Sequence, residues 1–458
     1  MWPDVFQLNC GESYTLNTRI GQRTVTLLQV EELYQPDYWT RENPSHQVLE
    51  RAVVKVDVSG VQATLILRPF EMPRIVNGLR IYVEATKNWA LDCERPQLHH
   101  VTKDVRFSAL DAARPWGPDD LVFPLLNYRW HASSYGNTWS SIVAYNRVYY
   151  HRGEDYGAIP DCLDVVAMMQ GTVICSPFDD DGCNYGSNPV HILHPSGHFT
   201  SYAHMNLKML DPQLRKGRQI EAGQVLGKTG GTWAGRLVPL GYHLHVSLHE
   251  GDATLPDYRL QADTFSLYPM LIDAYFRMYP DTVLPVAGRY YWTTSGQPIE
   301  LDASRSLARP GHSIRGYRWK LPDGTVVEDE KVTLSYEKPS LYTAELTVYG
   351  DDGSEDRDFA QIRVYHPEQN RELAYGWLHY TPVRGIIPGY PVIFWNRFTN
   401  TVGDVLIDFG DGSQKRAIDH EITHMFDNPG VYTVTLSGQD RFDNKVETKV
   451  RVIVEQAK

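Results

Sequence analysis

In the stretch Tyr242-His243-Leu244-His245-Val246-Ser247-Leu248 apolar and polar residues alternate strictly, and no other feature of the chain limits its fold so sharply. Successive side chains on a strand point to opposite faces of a sheet. Leu244, Val246 and Leu248 are therefore expected in a core, while His243, His245 and Ser247 share the opposite face and line a cleft. The chain holds 17 histidines, and nine of them fall between His131 and His249, about a quarter of its length. Composition alone would rarely concentrate imidazoles in this way.

A catalytic zinc ion takes three protein ligands from His, Asp or Glu and keeps a fourth position for water. His151-Arg152-Gly153-Glu154-Asp155 offers two such ligands, His151 and Asp155, and one histidine of the His243/His245 pair completes the set. His204, which follows Tyr202-Ala203, and the other member of the pair are then free to handle protons or stabilise an oxyanion.

Taken in order, H-x-G-x-D, Gly171-Thr172-Val173, Y-A-H, the run from Gly223 to Gly230 (G-Q-V-L-G-K-T-G) and H-L-H resemble the motifs of the lysostaphin-type zinc endopeptidases, the LytM-like murein hydrolases. The resemblance covers about Leu121 to Glu250. It implies a β-sheet groove in which His151, Asp155 and His245 bind Zn2+, with His204 and His243 flanking the metal-bound water as catalytic groups. The chain departs from the family at Asp161-Cys162-Leu163-Asp164, where a glycine usually precedes the strand, and between Gly231 and Gly241, which is longer than the usual turn. Non-enzymatic relatives have lost metal ligands, whereas all five polar positions are present here. His191, His194 and His198 read as structural or rim residues, and His131 and His249 take no assigned role.

A chain of 458 residues exceeds one hydrophobic core. Short strand runs with turn signals between Glu12 and Leu110 predict an N-terminal β domain over residues 1–115, and Trp116-Gly117-Pro118-Asp119-Asp120 marks the boundary of a catalytic domain over 116–262. Residues 263–282 predict a helical linker with a helix starting near Pro269. Asp323-Gly324 and Pro339-Ser340-Leu341-Tyr342-Thr343 recur as Asp411-Gly412 and Pro429-Gly430-Val431-Tyr432-Thr433. That repeat resembles tandem polycystic-kidney-disease (PKD) domains and implies two Ig-like β-sandwiches, over 283–367 and 368–458, serving as separable spacers. Trp319 and Ile407 should be core, and each repeat tyrosine should pack or cap a turn.

A net charge of −12 argues against nucleic-acid binding, and no apolar run reaches the roughly 20 residues of a membrane span. Met1-Trp2-Pro3-Asp4 has no leader pattern, so either the protein is cytoplasmic or a leader was removed before this numbering; the resemblance to cell-wall hydrolases implies the second, a secreted, periplasmic or cell-surface protein. Cys175 and Cys183 could close a hairpin disulfide, Cys10 with Cys93 is a weaker pairing, and Cys162 is left as a buried thiol. Together these features predict a mainly β, multidomain zinc endopeptidase, expected as a monomer, acting on peptidoglycan peptides or another extended peptide. The alternatives are an extracellular metallopeptidase acting on proteins and a non-catalytic cell-wall or peptide-binding scaffold.

Overall fold

The computed structural model describes residues 2–37, 47–92, 100–144, 148–179, 186–233, 236–237, 242–252, 262–366 and 374–456, and they form a mainly β, multidomain protein. Its centre is an eight-stranded antiparallel sheet in the order Gln219–Ile220, Gly171–Cys175, Val190–Leu193, His198–Ala203, His243–Glu250, Glu154–Gly157 and Gly136–Asn137, with Asp263–Phe265 also pairing His243–Glu250. The alternation read from the sequence sets its faces. Leu244, Val246 and Leu248 are buried against Tyr202, Tyr156 and Val173, while Asp155, His245 and Ala203 stand side by side on the other face.

The N-terminal strands form two four-stranded sheets, one of them Ser13–Thr18, Gly21–Pro36, Gln47–Val58 and Val61–Leu67 in that order. Valines and leucines at alternate positions, Val54, Val56, Val58, Leu65 and Leu67, close a core between the sheets. Trp139 and Tyr150, from the histidine-bearing segment, are part of that same core: Trp89 lies 5.4 Å from Trp139 and 5.5 Å from Tyr150, ring centroid to ring centroid.

The helix expected near Pro269 spans Tyr268–Met278, with Pro269 in its first turn, where a missing N–H costs nothing. Eight of its eleven residues are buried, so it acts as a hub and not as an exposed connector. The Tyr275 hydroxyl accepts from the Trp130 amide at 2.8 Å, and Arg384, from the connection between the Tyr375–Thr381 and Pro391–Thr399 strands, donates to that hydroxyl at 2.7 Å.

The last third contains two β-sandwiches. The first sets Tyr290–Thr294, Glu355–Tyr365, Ser340–Gly350, Ile314–Lys320 and Val326–Val327 in one sheet; the second sets Tyr375–Thr381, Pro391–Thr399 and Glu421–Met425 against Gln414–Arg416, Thr401–Asp408, Gly430–Asp440 and Lys445–Val454. Trp319 and Ile407 are fully buried, as their places in the repeat require. Both repeat tyrosines cap a turn four residues upstream, Tyr342 Oη donating to Lys338 O at 3.0 Å and Tyr432 Oη to Asn428 O at 2.8 Å. Such tyrosine corners are common in Ig-like sandwiches.

The expectation of separable spacers fails on the contacts. Fully buried Arg451 of the second sandwich bonds Asp356 of the first at 2.5 Å and donates to Trp130 O at 3.0 Å. Ser134 N donates to Leu378 O at 3.0 Å and Leu378 N to Ser134 Oγ at 2.8 Å, so a strand of the second sandwich is bonded to the segment leading into the central sheet. The first sandwich is tied to the N-terminal domain through Arg68 and Asp302 at 2.8 Å. These groups are buried polar partners of one another, and separating the domains would leave each unpaired.

The Cys10–Cys93 pairing is not formed: Cys10 is an exposed free thiol at a turn, with its amide bonded to Asp104 at 2.9 Å, and Cys93 lies outside the described residues. Cys175 is buried and disulfide-bonded; Cys183, its expected partner, also lies outside them. Cys162 is free and half-buried, and burial raises its pKa. Among the described residues no helix is long and apolar enough to cross a membrane.

Candidate metal centre

Three of the five residues singled out as ligands or catalytic groups meet at the cleft face of the central sheet. Asp155 and His245 are direct cross-strand partners, and His151 enters from the segment just before the Glu154–Gly157 strand. Asp155 Oδ1 lies 3.0 Å from His151 Nε2 and 2.8 Å from His245 Nδ1, and the two nitrogens are 3.1 Å apart. Tetrahedral zinc with bonds of about 2.0–2.2 Å holds its ligand atoms roughly 3.3 Å from one another. Two imidazole nitrogens and one carboxylate oxygen converging at nearly that spacing therefore fit the ion. The turn also requires a glycine: Gly153 has φ +145°, and a Cβ there would sit 2.4 Å from Val246 O and 2.9 Å from the His245 ring.

The other oxygen of Asp155 is held as well. Asn137 Nδ2 donates to Oδ2 at 2.8 Å and Tyr135 Oη at 3.2 Å, while Asn137 also donates to Tyr135 Oη at 3.1 Å. Burial alone would raise the Asp155 pKa, but His151 and His243 nearby hold it well below the usual carboxylate range. Burial pushes His245 down, although Asp155 opposes the shift.

His204 and His243 flank this cluster. Their ring centroids are 4.6 Å apart, and His204 is 6.1 Å from His245. His204 Nδ1 lies 2.8 Å from Thr232 O, and a carbonyl only accepts, so the proton sits on Nδ1 and Nε2 carries the lone pair. The arrangement is braced: Thr232 N donates to His204 O at 3.1 Å, Thr232 Oγ1 to Asn206 Oδ1 at 2.6 Å, and Asn206 Nδ2 to Asp161 Oδ1 at 2.6 Å. Thus the departure at Asp161 supplies a support for His204. His204 also has φ +71°, a left-handed backbone unusual for a non-glycine residue and frequent at functional sites. Burial, followed by the charges of His243 and His245, pushes its pKa down to about 3 and leaves it neutral. His243 reaches Asp155 Oδ1 at 3.5 Å and lies beneath the Tyr135 ring at 4.9 Å.

The remaining histidines separate into structural and rim groups. His194 is satisfied on both nitrogens, by Gln170 O at 2.8 Å and Thr200 Oγ1 at 3.0 Å. His131 pairs with Asp358 of the first sandwich at 3.0 Å. His198 stacks on Trp2 at 4.1 Å. His249, two strand positions beyond Ser247, stacks on Phe199 and is satisfied on both ring nitrogens, by Ser247 Oγ at 2.8 Å and Thr264 Oγ1 at 3.2 Å. The side chains of Trp233, Arg236 and Leu237, in the long segment between Gly231 and Gly241, lie outside the described residues, as does most of the Cys175–Tyr185 loop. Tyr135, Asn137, Thr232 and Asn206 escaped the sequence reading; they hold the key residues without belonging to a motif.

The site is thus a two-histidine, one-carboxylate cluster on one face of a β-sheet, a donor set that could hold a metal ion, with two further imidazoles beside it. Residues 149–256 match the model of peptidase family M23, and residues 283–364 and 391–454 match that of the PKD domain; the chain carries an M23 peptidase region followed by PKD domains. Similar solved structures include a candidate glycyl-glycine endopeptidase LytM from Ruminococcus gnavus (23% identity, 33% of this chain and 60% of that one, TM-score 0.26). Csd3 from Helicobacter pylori is also similar (13% identity, 56% and 74% coverage, TM-score 0.22), as are the fibronectin(III)-like modules of CbhA from Clostridium thermocellum (13%, 38% and 95%, TM-score 0.16). The chain thus spans 60% of the length of the Ruminococcus gnavus protein. No curated protein sequence matches it.

Proposed function

We propose that the chain is a zinc-dependent endopeptidase that hydrolyses peptide bonds in peptidoglycan peptides or cross-bridges, outside the cytoplasm. The observation that carries this reading is the convergence of His151 Nε2, His245 Nδ1 and Asp155 Oδ1 within 3.1 Å of one another on the cleft face of the sheet. These three residues would hold the ion. Zinc at such a site supplies Lewis acidity toward a scissile carbonyl and makes water a nucleophile near neutral pH. His204, with its Nδ1 proton committed to Thr232, offers Nε2 as the proton acceptor. His243, on the other side of Asp155, is the group to donate to a developing oxyanion. An extended peptide suits a cleft floored by the sheet, where His245, whose side chain is the most exposed of the three-residue cluster, is registered against Ala203 on the next strand.

Zinc content of the purified full chain, followed by incubation with peptidoglycan and with casein and mass spectrometry of the products, tests the reading. About one zinc per chain and released peptidoglycan fragments support it. Casein cleavage at bulky residues with peptidoglycan untouched would leave a general extracellular metallopeptidase. Zinc without cleavage of either would leave a binding scaffold.

A further inference from the structure

The face that the second sandwich turns toward the central sheet is aromatic. Trp377 and His379 are two apart on the Tyr375–Thr381 strand, and Trp395 is the direct cross-strand partner of His379, so all three share one face. The alternate residues Leu378, Tyr380 and Phe394 fill the core of the sandwich itself. An outward face on a spacer domain would be solvated and polar. Here it is covered by two tyrosines of the peptidase region that bracket His243: Trp377 meets Tyr135 edge-on at 5.0 Å, and Trp395 meets Tyr242 edge-on at 5.5 Å.

Backbone and polar contacts fix the same junction. His379 Nδ1 lies 2.8 Å from Ser133 Oγ, and that oxygen also accepts from the Tyr135 amide at 3.0 Å. Arg289 of the first sandwich donates to Ser133 O at 2.9 Å. On the opposite side Gly157, on the strand that carries Asp155, leaves room for this segment: a Cβ there would lie 2.3 Å from Ser133 Oγ and 2.5 Å from Tyr135 O. Tyr135 is therefore gripped between the sandwiches and the metal-binding strand. Its ring covers His243 and its hydroxyl bonds Asp155.

Resting on the zinc-site reading above, we propose that the second PKD sandwich is a built-in part of the peptidase centre, with Trp377 and His379 as positioning residues that set Tyr135 and, through it, Asp155 and His243. Outer partners of metal ligands fix ligand orientation, and their loss typically weakens metal affinity or activity about 10- to 100-fold. The sandwich transmits that effect over two contacts, Trp377 to Tyr135 and Tyr135 to Asp155.

The test is the zinc dissociation constant of the full chain, measured by competition with a chromogenic chelator, with kcat/KM on a peptide substrate alongside. Trp377→Ala is expected to weaken zinc binding about 10-fold or more, and Trp377→Phe, which keeps an aromatic edge against Tyr135, to restore most of it. Tyr135→Phe removes only the hydroxyl on Asp155, keeps both packing faces, and should show the same direction of change. Val434→Ala, in the core of the sandwich away from this face, should lower the melting temperature and leave zinc affinity unchanged. Wild-type zinc affinity in folded Trp377→Ala and in Tyr135→Phe, or an equal loss in Val434→Ala, would overturn the coupling. A wild-type chain that takes up no zinc would instead overturn the metal-site reading beneath it, and the coupling with it.

Discussion

Arg451→Met tests whether the sandwiches and the peptidase region unfold as one body. Arg451 is fully buried, with Nη2 bonded to Asp356 at 2.5 Å and to Trp130 O at 3.0 Å, and so it joins both sandwiches and the peptidase region. Burial works against its charge, yet Asp356 keeps the guanidinium pKa raised. Removing one partner of a buried ion pair costs about 3–5 kcal/mol because the other charge is left uncompensated. If the second sandwich unfolded alone, that loss would lower its melting temperature by about 4–8 °C per kcal/mol, roughly 12 to 40 °C in all. A unit of several hundred residues spreads the loss over a larger unfolding entropy, at about 2 °C per kcal/mol or less, giving a shift below roughly 10 °C. Differential scanning calorimetry of the full chain reads the difference. One transition displaced by less than about 10 °C is expected, and Arg451→Met combined with Asp356→Leu should recover much of the loss, since an apolar replacement of a buried pair is often neutral. Two transitions, with only one displaced, would refute the single-body reasoning.

Further outcomes follow from the site and its surroundings. His245→Ala should empty the metal site, and zinc added at about 100 times its dissociation constant should stabilise the wild type by about 2.7 kcal/mol and leave this variant's unfolding midpoint unmoved. His204→Ala and His243→Ala should each retain zinc and lose about 10²–10⁴ in kcat, with metal loss in a folded variant counting against the assigned role. Burial, then the charge of Arg289, pushes His131 to about 4, and burial with the charge of His243 pushes His379 to about 3, both from 6.5. The unfolded chain therefore binds more protons than the folded one below pH 6.5, so stability is full above that value and falls as pH drops toward 4 and then 3. The slope is about 1.4 kcal/mol per pH unit for each group; urea midpoints at pH 8 and pH 5 should differ, with His379→Gln reducing the difference, and equal midpoints would count against it. A truncation ending at Tyr279 should be poorly soluble and inactive, because it bares Tyr128, Trp130 and the Ser133–Tyr135 segment.

The residues proposed to carry chemistry were legible because they are local in sequence: a strand period of two puts His243 and His245 on one face, and His151 and Asp155 are four positions apart. The repeat was legible for the same reason, since Trp319, Ile407, Tyr342 and Tyr432 each act within their own sandwich. Tyr135 and Asn137 were not, because they reach Asp155 through a two-residue strand, Gly136–Asn137, too short to show a period. The docking face was hidden differently. In Trp377-Leu378-His379-Tyr380 and Phe394-Trp395 both alternating sets are apolar or aromatic, the signature of a strand buried on both faces.

Each residue of the proposed metal site is fastened from outside the sheet that presents it. His151 follows Tyr150, whose ring is buried with Trp89 and Trp139 in the N-terminal core and whose hydroxyl accepts from the Leu49 amide at 2.6 Å. Asp155 is oriented by Tyr135 and Asn137, and Tyr135 is held by the second sandwich. His245 is fixed by its strand and by the close approach of Gly153. A metal site tolerates little displacement of its ligands, and rigid support from packed elements is what keeps them in place. In this chain the supports come from domains that precede and follow the peptidase region. On the proposed zinc reading, the flanking domains bear on the chemistry through ligand geometry, whether or not they also touch a substrate.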